Sequence, residues 1–224
     1  MVLLAQHKKN YFSVCLVAFL VVFALFLPVI TSVAQENNER KVLTEQVEKL
    51  ELGMSGYVLA RKLTPEQKKL AKEHLLGKAY PGTYKFQAED VAVVVGKDTD
   101  RVLAIYRRQK GISTQDLKSA IGELMLTFGE PTTMAHSKIV YWAYGKDGLI
   151  DEALFEAAKK SGQIDIIATV KLNSSLSIDE IGREEVEATD NVQAEPAGKK
   201  KEEQEHSLYF IITSEPLLKY YLQQ

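Results

Sequence analysis

One apolar segment near the start of the chain limits what the rest of it can be. Residues Val14 to Leu27 are unbroken apolar sequence, and no charged residue occurs between Lys9 and Glu36. Lys8 and Lys9 form a short basic start in front of this segment. A basic start followed by a short apolar core is typical of a signal peptide. We therefore expect everything after the segment to lie on the far side of a membrane.

The residues after the apolar core predict a cleavage site. Pro28 ends the apolar helix, because proline lacks an amide donor and clashes with the preceding turn. Ser32 and Ala34 then place small residues at the two positions that a signal peptidase reads. Cleavage after Ala34 leaves Gln35 as the new N-terminus, so we expect residues 1–34 to be a signal peptide.

An uncleaved membrane anchor is the alternative. Tyr11 to Val33 is about 23 residues, which is enough to cross ~30 Å of hydrocarbon at about 1.5 Å per residue. The lysines at the start would then remain inside the cell, and the protein would contact the membrane through its N-terminal segment. Both alternatives place residues 35–224 in an extracytoplasmic compartment such as a periplasm.

Composition restricts the exported part further. Cys15, inside the apolar core, is the single cysteine, so residues 35–224 hold no disulfide and no free thiol, as suits an oxidising compartment. The whole chain has a net charge of −2. Domains that bind nucleic acid are usually basic, so we expect no nucleic-acid partner.

The acidic residues are concentrated in one segment. Residues 174–206 contain ten Asp or Glu against four Lys or Arg and have no aromatic side chain. Such a segment buries too little apolar surface to offset the entropy lost on ordering. We predict a disordered acidic insertion over 174–206, within a single domain formed by residues 63–173 and 207–224.

Residues 35–62 predict an amphipathic helix next to the membrane. The apolar residues in this range are spaced alternately by four and by three, which makes one apolar stripe on a helix. The stripe consists of Leu43, Val47, Leu50, Met54 and Tyr57. Either the helix lies on its own domain, or the stripe pairs with a second copy and makes the protein a homo-oligomer through residues 43–57.

The remaining sequence alternates between helical and strand periods. Thr64 and Gln67 form a capping-box pattern at the start of the clearest helix. The predicted helices are 64–76, 113–128, 151–160 and 215–222, and the predicted strands are 91–95, 101–108, 138–144, 164–172 and 208–213. Strands joined through turns indicate an α+β fold, with an antiparallel sheet of about five strands and helices packed on one face.

The exported part shows no catalytic, metal or cofactor pattern. His74, His136 and His206 lie far apart, without the spacing of a metal site. There is no glycine-rich phosphate loop, no Gly-x-Ser-x-Gly turn and no thiol after the apolar segment. We therefore predict no catalytic residue, no metal ligand and no cofactor, and we do not expect an enzyme.

The densest aromatic group lies on the third predicted strand. In a strand, Tyr141 and Ala143 face one way while Trp142 and Tyr144 face the other. One of these pairs belongs to the core. The other is free to contact a partner or ligand, since aromatic residues are enriched in interfaces. We expect Trp142 and Tyr144 to form an interaction surface.

Part of the chain resembles a known family. The segments Gly111-Ile112-Ser113, Gly129-Glu130-Pro131 and Tyr141-Trp142-Ala143-Tyr144 are similar to the helix start, helix end and Trp-x-Tyr strand of the SmpA/OmlA family of small envelope lipoproteins. The resemblance covers about residues 111–173. It implies an envelope module that attends the assembly of outer-membrane β-barrels. The chain departs from that family in its longer helix and in having no cysteine placed for lipidation.

These patterns predict an exported, non-enzymatic envelope protein that acts as a protein-interaction or assembly module for another, unidentified envelope protein. The alternative is a small-ligand-binding or sensory extracytoplasmic domain, in which Trp142 and Tyr144 line a pocket. A single-span chain with about ten residues inside the cell carries no output domain. That favours the interaction module over a sensor.

The intact mass of the purified protein tests the cleavage site. Removal of the signal peptide gives a chain that begins at Gln35. Ala34→Glu is the matched control, because a signal peptidase requires a small residue there, and this variant is expected to keep Met1. A wild-type chain that itself begins at Met1 contradicts cleavage and leaves the anchor.

Overall fold

The computed structural model describes most of the chain after the N-terminal apolar segment. The described residues are 35, 37–162, 165–177 and 206–222. The predicted signal or anchor segment, 1–34, lies outside them, and so do residues 178–205 of the predicted insertion. Among the described residues, no helix is both long enough and apolar enough to cross a bilayer.

The chain divides into two units, residues 1–42 and 43–224. The helices are α1 (37–49), α2 (Pro65–Glu73), α3 (Thr114–Phe128), α4 (Glu152–Ser161) and α5 (Glu215–Leu222). The strands are β1 (Gly53–Met54), β2 (Tyr57–Val58), β3 (Leu75–Gly77), β4 (Thr83–Ala88), β5 (Val91–Gly96), β6 (Val102–Ile112), β7 (Thr133–Ala135), β8 (Ile139–Gly145), β9 (Gly148–Leu149), β10 (Ala168–Ser174) and β11 (His206–Thr213). All the strands belong to the second unit.

Nine of these strands form one antiparallel sheet. Its order is β3-β4-β5-β6-β11-β10-β8-β7, with β9 paired to β8, while β1 and β2 make a separate hairpin. The predicted α+β class and antiparallel sheet are confirmed. The expected number of about five strands is too low. Apart from β4, the missed strands are two or three residues long, which is too short to show a period of two.

The core lies against one side of the sheet, here termed the first face. Directly opposed residues on neighbouring antiparallel strands point to the same face. One such row crosses six strands from β4 to β8 and consists of Phe86, Val93, Ile105, Ile212, Val170 and Trp142. All six side chains are fully buried. Each of them stabilises the fold by about 1.5–3 kcal/mol through removal from water, taken as an upper estimate.

Helix α3 packs on the first face. The ring of Phe128 lies 6.0 Å from that of Trp142 and 5.8 Å from that of Phe210, measured between centroids. The indole Nε1 of Trp142 donates a 2.9 Å hydrogen bond to the carbonyl of Gly129, just after the helix. A buried tryptophan needs such an acceptor. The contact between α3 and β8 therefore packs the Trp142 ring against Phe128 and gives its indole N–H a hydrogen-bond acceptor.

The predicted helix over 35–62 is wrong beyond residue 49. Glu51 has φ +52, and the chain then turns into the β1–β2 hairpin. At Gly53 a Cβ would lie 2.4 Å from the carbonyl oxygen of Tyr57, so this close backbone approach requires glycine. The ring of Tyr57 packs edge-on against Phe86, 5.7 Å away.

The apolar stripe of residues 43–57 therefore packs against its own domain. Val47 and Tyr57 are buried, and the three other members are partly buried against the same core. Arg101 holds the segment in place. Its Nη1 donates one hydrogen bond to Glu48 Oε2 at 2.8 Å and another to the carbonyl oxygen of Ala60 at 2.5 Å. Within the chain, the stripe thus follows the first of the two predicted alternatives, and the pairing of two copies through residues 43–57 stays a prediction.

The helices lie on both faces of the sheet and not on one. The ring of Tyr221 in α5 occupies the space beside Gly96, where a Cβ would lie 2.6 Å from it. Gly96 is opposed to Thr83, and both point away from the first face. Helix α5, which begins where the Leu217 amide donates to Ser214 Oγ, thus covers part of the opposite, second face.

The acidic insertion joins two strands that lie side by side. Ser174 of β10 is opposed to Leu208 of β11. The amide of Ser175 donates to the carbonyl of Ser207 at 3.0 Å, and the Ser207 amide donates to Ser175 Oγ at 2.9 Å. The described residues on either side of the insertion thus meet at the end of one hairpin. An insertion at such a point leaves the sheet pairing intact.

Two neighbouring residues of β11 test the assignment of faces. Phe210→Ala is expected to lower the free energy of unfolding by about 3–5 kcal/mol, because it empties a fully buried site on the first face. Tyr209→Ala is the control: Tyr209 is 38% exposed on the second face, so its loss is expected to cost about 1 kcal/mol or less. Urea unfolding with an unchanged m-value measures both. Equal losses would contradict the register.

Candidate binding face

The predicted interaction surface at Trp142 and Tyr144 is wrong, because both side chains belong to the core. Trp142 is fully buried and Tyr144 is 7% exposed. The alternation of β8 turns Tyr141 to the second face instead. A partner or ligand therefore has to be sought on the face that carries Tyr141.

The uncovered part of the second face carries aromatic and basic side chains. Four mutually opposed residues form a row across β6, β11, β10 and β8: Tyr106, Ile211, Lys171 and Tyr141. The next row on the same face begins with Arg108 opposite Tyr209. We call these six residues, Tyr106, Arg108, Tyr141, Lys171, Tyr209 and Ile211, the tyrosine–basic face.

The side chains of this face are half-buried or exposed, in contrast to the fully buried row behind them. Neighbouring strands are about 4.8 Å apart, so the row from Tyr106 to Tyr141 extends about 14 Å. That length accommodates several residues of an extended peptide, at about 3.3 Å per residue. The face is thus large enough for a macromolecular segment.

Each basic group of the face lies over a tyrosine ring. The Arg108 guanidinium carbon is 4.8 Å from the centroid of Tyr209, and Lys171 Nζ is 5.2 Å from that of Tyr141. Cation–π contacts at exposed positions contribute about 0.5–1 kcal/mol each. They orient the cations without neutralising them, and the carboxylate of Glu215 acts on Tyr141 from the border of the face. Within the described part of the chain, neither cation forms an ion pair.

Two tyrosines of the face, Tyr106 and Tyr141, have raised pKa values. Burial, and then a hydrogen bond to Tyr80, raises the pKa of Tyr106. Burial, and then the nearby charge of Glu215, raises the pKa of Tyr141. The hydroxyl proton of Tyr106 is thus engaged with Tyr80, whereas the hydroxyl of Tyr141 can donate a hydrogen bond outward. The arrangement suits carboxylate oxygens, which accept such bonds.

Two helices form the border of the face. Helix α4 contributes Phe155, whose ring centroid is 6.2 Å from that of Tyr141. Helix α5 covers the row next to it, in which Val94, Ala104 and Ala143 are fully buried. These borders hold Tyr141 in place and leave its neighbours open.

The three histidines after the apolar segment, His74, His136 and His206, are not brought together into a site. The described residues contain no group of three or more His, Cys, Asp or Glu side chains placed to bind a metal. Comparisons of the chain with protein-family models, with curated proteins and with solved structures find no match. The chemistry of the face therefore has to be argued from its own residues.

A local signal for this face was present in the sequence. Tyr209 and Ile211 alternate with buried residues of β11, whereas in β6 only the residue before Tyr106 is buried and both neighbours of Arg108 are half-buried or exposed. Period-two alternation shows that such residues share the non-core side of a strand. It does not show that four strands bring them into one row, because that depends on sheet order.

Alkaline unfolding tests the burial of Tyr144. Burial raises the pKa of Tyr144 to about 12, whereas an unfolded tyrosine has a pKa of about 10. The folded state holds this proton more tightly, so the stabilisation is complete below pH ~10 and is lost as pH rises through about 12. Tyr144→Phe has no proton to lose, and its urea midpoint is expected to fall less over this pH range. An equal fall in both proteins would contradict the assignment.

Proposed function

We propose that residues 43–224 form a non-enzymatic binding module outside the cytoplasm, and that the tyrosine–basic face holds an acidic segment of another envelope protein. One observation carries this proposal: a row of half-buried aromatic, aliphatic and basic side chains lies uncovered across four central strands. Tyrosine and arginine are enriched at protein interfaces. The first face is buried in the core, so a partner has access to the sheet through the part of the second face that α5 does not cover.

Charge favours an acidic protein segment as the occupant. Lys171 and Arg108 lie over rings and have no carboxylate partner in the described part of the chain. A carboxylate placed near them gains a charge-assisted hydrogen bond. Nucleic acid is the rival polyanion, but the face has two basic side chains, fewer than the several phosphate contacts on which nucleic-acid binding depends.

The compartment and the assembly role rest on the sequence. The apolar segment Val14 to Leu27 and the absence of cysteine from residues 35–224 support an extracytoplasmic location. The resemblance of residues 111–173 to the SmpA/OmlA family supports a role in envelope assembly. The partner in this proposal is an envelope protein with a carboxylate-rich segment.

Site-specific photocrosslinking in living cells tests the proposed face. A photoreactive amino acid replaces Tyr209 in the full-length chain, and the same amino acid replaces Lys97, on the turn after β5, as the control. A discrete adduct is expected from position 209 and not from position 97. Peptide mapping of the adduct is expected to place the crosslink in an acidic segment of the partner.

Reversing the charge of the two basic residues tests whether the crosslink depends on them. The double variant Arg108→Glu and Lys171→Glu is expected to reduce the adduct roughly tenfold, because two attractive surface contacts become repulsive. Lys97→Glu is expected to leave it unchanged. An adduct that survives the double variant contradicts the proposal. An adduct that disappears after nuclease treatment would identify nucleic acid as the partner and also contradict it.

A further inference from the structure

A cavity opens beside the tyrosine–basic face, at the side of strand β4. Its volume is about 350 Å³, and it is lined by Lys78, Ala79, Tyr80, Lys85, Ala92 and Tyr106. Pockets for small molecules usually measure about 300–1,000 Å³. The cavity is therefore of a size for a small ligand and too small for a folded partner.

The cavity exists because a small residue lies between larger ones on the second face. Ala92 is opposed to Gln87 on one side and to Tyr106 on the other. Its methyl group leaves a depression, and the chain at 78–80 forms a wall along the sheet edge. A large side chain at position 92 would fill this space.

Two ammonium groups face this cavity without a counter-charge. Lys85 is half-buried and Lys78 is exposed. Among the described residues, no carboxylate forms an ion pair with either of them. An anion that enters the cavity can form a charge-assisted hydrogen bond with each of these lysines. The pair therefore favours a negatively charged group between them.

The other lining groups determine which anion fits. Tyr80 and Tyr106 line the cavity with hydroxyl groups, which are hydrogen-bonded to each other. The tyrosine rings and the methyl groups of Ala79 and Ala92 add apolar surface. A ligand that satisfies both kinds of surface has an anionic head and an apolar body. A bare inorganic anion satisfies only the first.

We infer that this cavity is a binding site for a small carboxylate with an apolar body, held by Lys78 and Lys85 and packed against Tyr80, Tyr106 and Ala92. The carboxylate comes either from a free small molecule or from the C-terminus of a bound protein. The site needs no protein partner, so it does not rest on the proposed function.

Titration of the full-length, ¹⁵N-labelled chain with benzoate tests the inference by solution NMR. Benzoate is expected to shift the amide signals of Ala79 and Ala92 with a roughly millimolar dissociation constant. Benzamide, its neutral counterpart, is expected to bind roughly tenfold more weakly or not at all, since it lacks the charge. Equal binding of benzamide, displacement of benzoate by inorganic phosphate, or absence of shifts from benzoate would each overturn the inference.

Variants test separately the contribution of the lysine charge and that of the cavity volume to benzoate binding. Lys85→Gln is expected to weaken benzoate binding roughly tenfold, while Lys138→Gln, an exposed lysine just before β8 on the other side of the sheet, is expected to leave it unchanged. Ala92→Phe keeps both lysines but fills the cavity, so it is expected to abolish binding. Unchanged melting temperatures of the lysine variants show that the fold is intact. Benzoate affinity that is equal in wild type and Lys85→Gln contradicts the site.

Two further arms identify the source of the carboxylate and separate this inference from the proposed function. A short peptide with a free C-terminus that binds more tightly than benzoate, and more tightly than its amidated form, indicates a protein terminus; a peptide no better than benzoate indicates a free small molecule. The double variant Arg108→Glu and Lys171→Glu is expected to leave benzoate binding intact. If benzoate binds but no crosslinked partner is found, only the proposed function is contradicted. If a partner is crosslinked but benzoate does not bind, only the cavity inference is contradicted.

Discussion

The pairing of β6 with β11 is the interaction on which the rest of the structure depends. These two strands occupy the middle of the sheet, with Ile105 opposite Ile212 and Arg107 opposite Phe210. On one side of the pair lie strands formed by residues 75–96, and on the other side lie strands formed by residues 133–174. Without β11 these two groups of strands would share no hydrogen-bonded neighbour, and the continuous row of buried side chains would be interrupted in its centre. The pairing of β11 with its neighbours costs conformational entropy, because β11 comes after the acidic insertion and its pairing closes a long loop.

The two faces of the sheet differ in solvent exposure because different elements pack on them. The first face is covered along its length by α3 and by residues 43–63, so its row from Phe86 to Trp142 excludes water entirely. The second face is covered by α5 over the row that holds Ala104, and the rows beyond it are open. Side chains suited to this position have an apolar body and a polar end, as tyrosine, lysine and arginine do. This residue choice links the fold to the proposed binding function.

Much of the fold was predictable where local chemistry decides the conformation. The capping boxes at Thr64 and Ser113 place the starts of α2 and α3 as predicted. The end of α2 was not predictable: the helix stops at Glu73, because Leu75–Gly77 pairs with β4. Strand β4 was missed although Tyr84, Phe86 and Ala88 alternate with polar residues, a signal that the sequence contained. The predicted helix over 35–62 failed because a spacing of four and three is also satisfied by a short helix followed by a hairpin on the same core.

The sequence by itself determined the apolar start, the absence of cysteine after it, the α+β class and the alternation that separates core from non-core residues in strands such as β11. These properties depend on single side chains and on periods of two or 3.6 residues, which any reader of the chain can count. Only the tertiary structure decided which side of β8 is buried, since Tyr141 and Trp142 are both aromatic and the alternation fits either choice. It also decided that Tyr106, Ile211, Lys171 and Tyr141 meet in one row and that Ala92 leaves a cavity beside it. The physical reason is that strand order and helix placement arise from long-range packing, which no local pattern specifies.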